Sequence, residues 1–178
     1  MDKQKLKENL LNARTRSYCV LDGAAVPDLP KRLYEMDPPN YPLIRGNLTP
    51  DMVHVAPYVV FLGPRDDFTN WIIDEGFGKN WGIFVQCRFS INEMRRHFRE
   101  LMNVNDETGK PLLFRFYDPR VIRKFLPTCD EGQVEAFFGK VERYFVESGE
   151  GETMLVYTHE NGGLSTTELD LKEREGDS

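Results

Sequence analysis

Apolar residues fall in short blocks along the chain, separated by turn-forming and charged stretches. Residues 57–62 are apolar at consecutive positions, which predicts a strand inside a sheet rather than at its edge. Residues 17–21 form a second apolar strand, ended by the turn pair Asp22-Gly23, and 82–88 a third. Tyr41 to Leu43 predicts a brief further strand. Between these blocks the apolar period changes to that of helices. Leu6, Leu10 and Leu11 share one face of a polar lead-in. Asp28 is placed to cap a helix to about Met36, which the cluster Asp37-Pro38-Pro39 stops. Asp66 or Asp67 caps the next helix, carrying Phe68, Trp71, Ile72 and Ile73 and stopping at Gly76. Ser90 and Glu93 have the spacing of a capping box, opening a helix to about Met102. Its Ile91, Met94, Phe98 and Leu101 face inward, with Arg95, Arg96 and Arg99 outward.

The second half continues the alternation. The polar run 105–110 predicts a hairpin turn between Val104 and a strand at 112–117. A helix follows Asp118-Pro119 and ends at Pro127; Asp130 caps another to Phe138. Residues 141–147 and 153–158 predict a closing hairpin across Ser148-Gly149-Glu150-Gly151. No clean βαβ units with phosphate loops occur. The expectation is a single α/β domain: a mixed β-sheet with packed helices, a short C-terminal hairpin and a polar tail. Its divisions are a helical lead-in at 1–16, the domain at 17–158 and a mobile acidic tail at 159–178.

Charge refines this picture. The chain of 178 residues carries a formal net charge of −6, which argues against nucleic acid as a partner. The charge is unevenly placed. Residues 88–124 carry nine basic groups against five acidic ones, and residues 147–178 nine acidic against two basic. Solvated faces account for both runs, and a basic docking face on the middle segment is the sharper alternative. No apolar run approaches the ~18 residues of a membrane span, and no signal peptide precedes residue 17, so a cytoplasmic protein is expected. Cys19, Cys87 and Cys129 are widely spaced; the first two lie in apolar strands and read as buried free thiols.

Candidate chemistry is sparse. Gly76-Phe77-Gly78 invites comparison with a dinucleotide fingerprint, but the third glycine is missing and the order is helix then strand. Helix end, turn and Trp81 packed on the sheet explain the segment better. His54, His97 and His159 have no metal-ligand spacing, and Cys87 lies in a strand, the wrong place for an activated thiolate. No Gly-x-Ser-x-Gly elbow occurs. Catalytic, cofactor and metal residues are therefore expected to be none. Arg115 needs an account. In a strand, Leu113, Arg115 and Tyr117 would share one face, so an arginine there lines a cleft or pairs with a carboxylate. Asp118 caps the helix from Pro119 and is placed to anchor Arg120 or a distant arginine. Arg115, Tyr117, Asp118 and Arg120 are also placed to rim a groove for a partner's polypeptide, since arginine and tyrosine are favoured interface anchors. Arg95 and Arg99 are the second candidate row, for an acidic partner.

Several blocks carry a family resemblance: Tyr18-Cys19-Val20-Leu21-Asp22-Gly23-Ala24, Ala56 to Val60, Gly76 to Phe84, and above all Leu113-Phe114-Arg115-Phe116-Tyr117-Asp118-Pro119-Arg120-Val121. Together they resemble the type VI secretion effector chaperones, or adaptors (the Tap/Tec group), over roughly residues 17–140. The resemblance implies a cytoplasmic, non-enzymatic chaperone without a cofactor. Its partners would be one cognate toxin effector and the spike (VgrG-type) protein at the tip of the injection apparatus. Many members carry a further C-terminal helical lobe, for which few residues remain here. Two other classes compete: a toxin-neutralising immunity protein, which acidic charge would suit, and an enzyme using Asp118, Arg115 and Tyr117 in a pocket.

Overall fold

The computed structural model describes residues 1–12, 14–105 and 108–173. Among the described residues, seven α-helices and nine strands follow in chain order. The helices are α1 (Lys3–Leu10), α2 (Leu29–Met36), α3 (Pro50–Val55), α4 (Asp67–Gly76), α5 (Ile91–Met102), α6 (Pro119–Phe125) and α7 (Glu131–Phe138). The strands are β1 (Arg16–Asp22), β2 (Asn40–Pro42), β3 (Pro57–Leu62), β4 (Gly82–Cys87), β5 (Asn103–Asn105), β6 (Pro111–Leu113), β7 (Val141–Glu147), β8 (Thr153–Glu160) and β9 (Gly163–Asp170). Seven strands form one sheet in the order β2-β3-β1-β4-β7-β8-β9, and β5 and β6 form a separate hairpin.

The α/β class and the packed helices agree with the sequence pattern. The sheet itself is antiparallel at every junction rather than mixed. Strand alternation explains its two faces. Tyr18, Val20, Val59, Val85, Tyr144 and Tyr157 point to one side, under Met94 and Phe98 of α5, Ile122 of α6 and Phe137 of α7. Cys19, Leu21, Val60, Leu62 and Phe145 point to the other, under Leu6 and Leu10 of α1, Leu29 of α2 and Phe68 and Ile72 of α4. Helices thus cover both faces, so the central strands are apolar at consecutive positions. Trp81 is buried in the second layer, as its motif suggested.

Local signals explain most helix starts. Ser90 and Glu93 form the expected capping box, and Lys140 reaches the same carboxylate at 3.2 Å. These bonds, the Ser90 backbone N–H first, hold the Glu93 carboxyl down at about 2. Asp66 and Asp118 accept from the first-turn N–H groups of α4 and α6, and Asp130 with Gln133 closes a second capping box. Asp28 occupies the N-cap position of α2 but makes no side-chain cap bond, because its backbone is left-handed (φ 54°). Helix α3 was not anticipated, although Thr49 caps it and Pro50 opens it. Cys19 and Cys87 are buried free thiols, and burial pushes the Cys87 thiol up to about 11. Among the described residues, no helix is long and apolar enough to cross a membrane.

Two further expectations fail. The strand at 112–117 stops at Leu113. Phe114 donates its N–H to Met102 O at 2.8 Å, and Asp118 donates to Arg115 O at 3.1 Å, so the chain turns and alternation ends. Leu112 and Leu113 are both exposed because the two-stranded hairpin is uncovered on both faces, whereas Phe116 and Tyr117, beyond the turn, are both buried. The tail beginning at 159 is not a mobile appendage through its described length. Residues 159–160 complete β8, and Gly163–Asp170 pairs along it as β9. Asn161 (φ 53°) and Gly162 (φ 82°) supply the two positive angles that a two-residue type I′ hairpin turn requires. Leu171 is then fully buried against α1's layer. Residues 174–178 of that tail lie outside the described residues, as do 106–107 of the turn expected at 105–110.

Candidate functional site

The two most specific sequence blocks meet in space. Asp22 ends β1, and Arg115, in the segment from Phe114 to Asp118 that leads into α6, reaches that strand end. The Arg115 guanidinium donates to the Asp22 carboxylate and lies 3.8 Å from Asp118 Oδ2. Arg120 closes a fork on Asp118, with Nε to Oδ1 at 3.0 Å and Nη2 to Oδ2 at 2.8 Å. Asp118 Oδ1 also accepts the Arg120 backbone N–H at 2.9 Å, which is its helix-capping role. Both carboxylates are buried, while Arg115 and Arg120 keep much of their surface in solvent. The result is an alternating row, Asp22, Arg115, Asp118 and Arg120, in which each buried anion has a cation and a backbone N–H.

Electrostatics follows from this row. Burial pushes the Asp118 carboxyl up, but the Arg120 bonds and the Arg115 charge outweigh it and leave the group below its ordinary value. Tyr117 is buried beneath the row; desolvation, with the Asp22 charge beside it, raises its hydroxyl. Four of the candidates, Arg115, Tyr117, Asp118 and Arg120, therefore come together. Of the two readings left open for Arg115, pairing with a carboxylate is the one observed.

Asp22 was read from sequence only as a turn residue. It holds the corner together: its Oδ1 accepts from Ala24 N at 3.0 Å, and its carbonyl accepts from Ala25 and Val26 N at 3.0 Å each. Gly23 completes the corner. A Cβ there would lie 2.2 Å from the Ala56 carbonyl oxygen, so only glycine fits against β3's entry. An aspartate closing the apolar run 17–21 was the available signal.

Arg95 and Arg99 belong to a second group and are not an outward row. Arg99 is half-buried and donates to three successive carbonyls, Leu43 at 3.0 Å, Pro42 at 3.1 Å and Ile44 at 2.9 Å. Arg95 lies over the Tyr41 ring, its carbon Cζ 4.7 Å from the centroid. Only Arg96 of the three is exposed. The expected outward face holds for Arg96 but not for Arg95 and Arg99, whose long side chains fold back onto the protein. Beside it, Arg45, Arg99, Glu100 and Asn103 line a surface cavity of about 340 Å³. The β5–β6 hairpin rises next to this cavity, with Val104 38%, Leu112 47% and Leu113 56% exposed.

The arrangement defines an antiparallel-sheet α/β domain in which the buried Asp22 and Asp118 are paired with arginines and a short hairpin leaves Val104, Leu112 and Leu113 exposed. The chain belongs to the family described as Domain of unknown function (DUF4123), which matches residues 17–136 and includes both blocks of the ionic row. No curated protein and no solved structure matches the chain.

Proposed function

We propose that the chain is a cytoplasmic adaptor chaperone that binds a cognate type VI secretion effector and helps load it on the spike protein. The family shared over residues 17–136 and the sequence blocks that resemble such adaptors support this reading. The observation that carries it is the exposed apolar hairpin. Val104 and Leu112 are cross-strand partners and stand in solvent, as does Leu113, two residues before Arg115 in the chain; exposed large apolar side chains of this kind suit protein docking. Asp118 and Arg115 are engaged with partners inside the chain.

Co-expression with each protein encoded beside this chain tests the proposal. A stable complex with a large toxin-like neighbour, weakened by Leu112→Asp and Leu113→Asp in a chain of unchanged melting temperature, is the expected result. Failure to bind any neighbour would count against it. Protection of cells from that neighbour's toxicity, with no effect on its delivery, would instead favour an immunity protein.

A further inference from the structure

The two outer strands of the seven-stranded sheet differ in how they end it. At β2 the edge is closed by Pro38, Pro39 and Pro42, which lack N–H donors, and by Arg99 on the outward carbonyls. At β9 nothing equivalent is present. The Glu160–Gly163 pair flanks the two-residue turn, and alternation from it directs the N–H and C=O groups of Leu164, Thr166, Glu168 and Asp170 away from β8. Helix α7 covers Leu164 from one face, whereas Thr166, Thr167, Glu168 and Asp170 are exposed. Among the described residues, no backbone bond reaches Thr166 or Glu168 from outside the hairpin.

We infer that β9 is an acceptor edge for strand addition by an extended partner segment with lysine or arginine at alternate positions. The charge identifies the guest. Glu168 and Asp170 are two residues apart, so they share one face, where an added strand about 4.8 Å away would place its own i and i+2 side chains. Among the described residues, neither acid has a cation partner. A second copy of this chain would bring another strand, 163–170, that contains two acids and no cation. On the opposite face, Thr167 and Leu169 border a cavity of about 410 Å³ that Arg143, Phe145, Val156 and Glu160 also line. The edge also lies outside residues 17–136, the segment matched to the family. The inference deepens the partner-binding reading and rests on it for the identity of the natural guest.

The test uses the full chain and a synthetic peptide alternating lysine and valine, with a counterpart bearing glutamate for lysine. Amide hydrogen exchange is read residue by residue. The lysine peptide should slow exchange at Thr166 and Glu168 by at least about tenfold, and the glutamate peptide should leave both unchanged. Thr166→Pro removes an N–H that only the guest uses and should abolish the protection without changing the melting temperature. Should that variant misfold, Glu168→Lys serves in its place and should reverse the preference between the peptides. No protection at 166 and 168, or protection that appears with protein concentration alone, overturns the inference. In the co-expression assay, an effector that binds wild type and both variants equally also overturns it while leaving the adaptor reading intact. Protection by the peptide without any bound neighbour overturns the adaptor reading alone.

Discussion

At one border of the sheet, β2 is three residues long, flanked by prolines and held by an arginine; at the other, β9 runs eight residues with neither. The first border is built from side chains that consume backbone hydrogen-bonding capacity. The second leaves that capacity facing solvent and surrounds it with acids. A β-sheet protein normally blunts both borders, since an unpaired ladder invites association. The difference teaches that edge protection here is local and selective, applied at β2 by prolines and an arginine and absent in that form at β9.

Substitutions should expose that inequality. Arg99→Ala leaves the carbonyls of Pro42, Leu43 and Ile44 without their donor and should cost about 3 kcal/mol, a fall in Tm of roughly 6–12 °C for a chain of this size. Thermal unfolding followed by circular dichroism checks this, and an unchanged Tm would show that the β2 border needs no clamp. Arg115→Ala strips the cation from Asp22 at the end of β1. Because Arg115 is half in solvent, the loss should be about 2 kcal/mol, below the ~3–5 expected for a fully buried pair.

The ionic row also makes stability depend on pH. Asp118 is held below its ordinary 3.8, so its contribution is complete above that value and is lost as pH falls through the lower folded value. Glu147 has the opposite sign. Burial raises its carboxyl, against the Asn80 N–H and Arg123 nearby. Its ionisation therefore opposes folding as pH rises above the ordinary 4.5. Asp118→Asn should flatten the acid limb of a Tm-against-pH curve, and Glu147→Gln should raise Tm near pH 7 but not below pH 4. The smallest effect belongs to the open border. Thr166→Pro should alter stability by no more than about 0.5 kcal/mol, since its N–H has no intramolecular partner.

Much of this was readable in the residues. The central strands announce themselves because both of their faces are covered, and the Ser90–Glu93 and Asp130 caps lie at their expected spacings. The β9 strand did not, because an edge strand needs few apolar residues and Leu164 and Leu169 are isolated among polar ones. Only Asn161-Gly162 marked it. The ionic row was half legible: Asp118 and Arg120 are close in sequence, whereas Asp22 lies 93 positions from Arg115 and only the fold joins them. Arg99 was misplaced because helical periodicity reports where a side chain starts, not where a long one ends.

Strand order has a consequence for synthesis. The four strands β2-β3-β1-β4 are complete once residue 87 has emerged, yet β4's second neighbour, β7, begins only at residue 141. At ribosomal rates that interval lasts on the order of several seconds. During it the nascent sheet presents Gly82–Cys87, a strand of the finished interior, as a raw border. A chain stalled between those points should be the form most prone to aggregate, and translation speed through 88–140 should govern its yield.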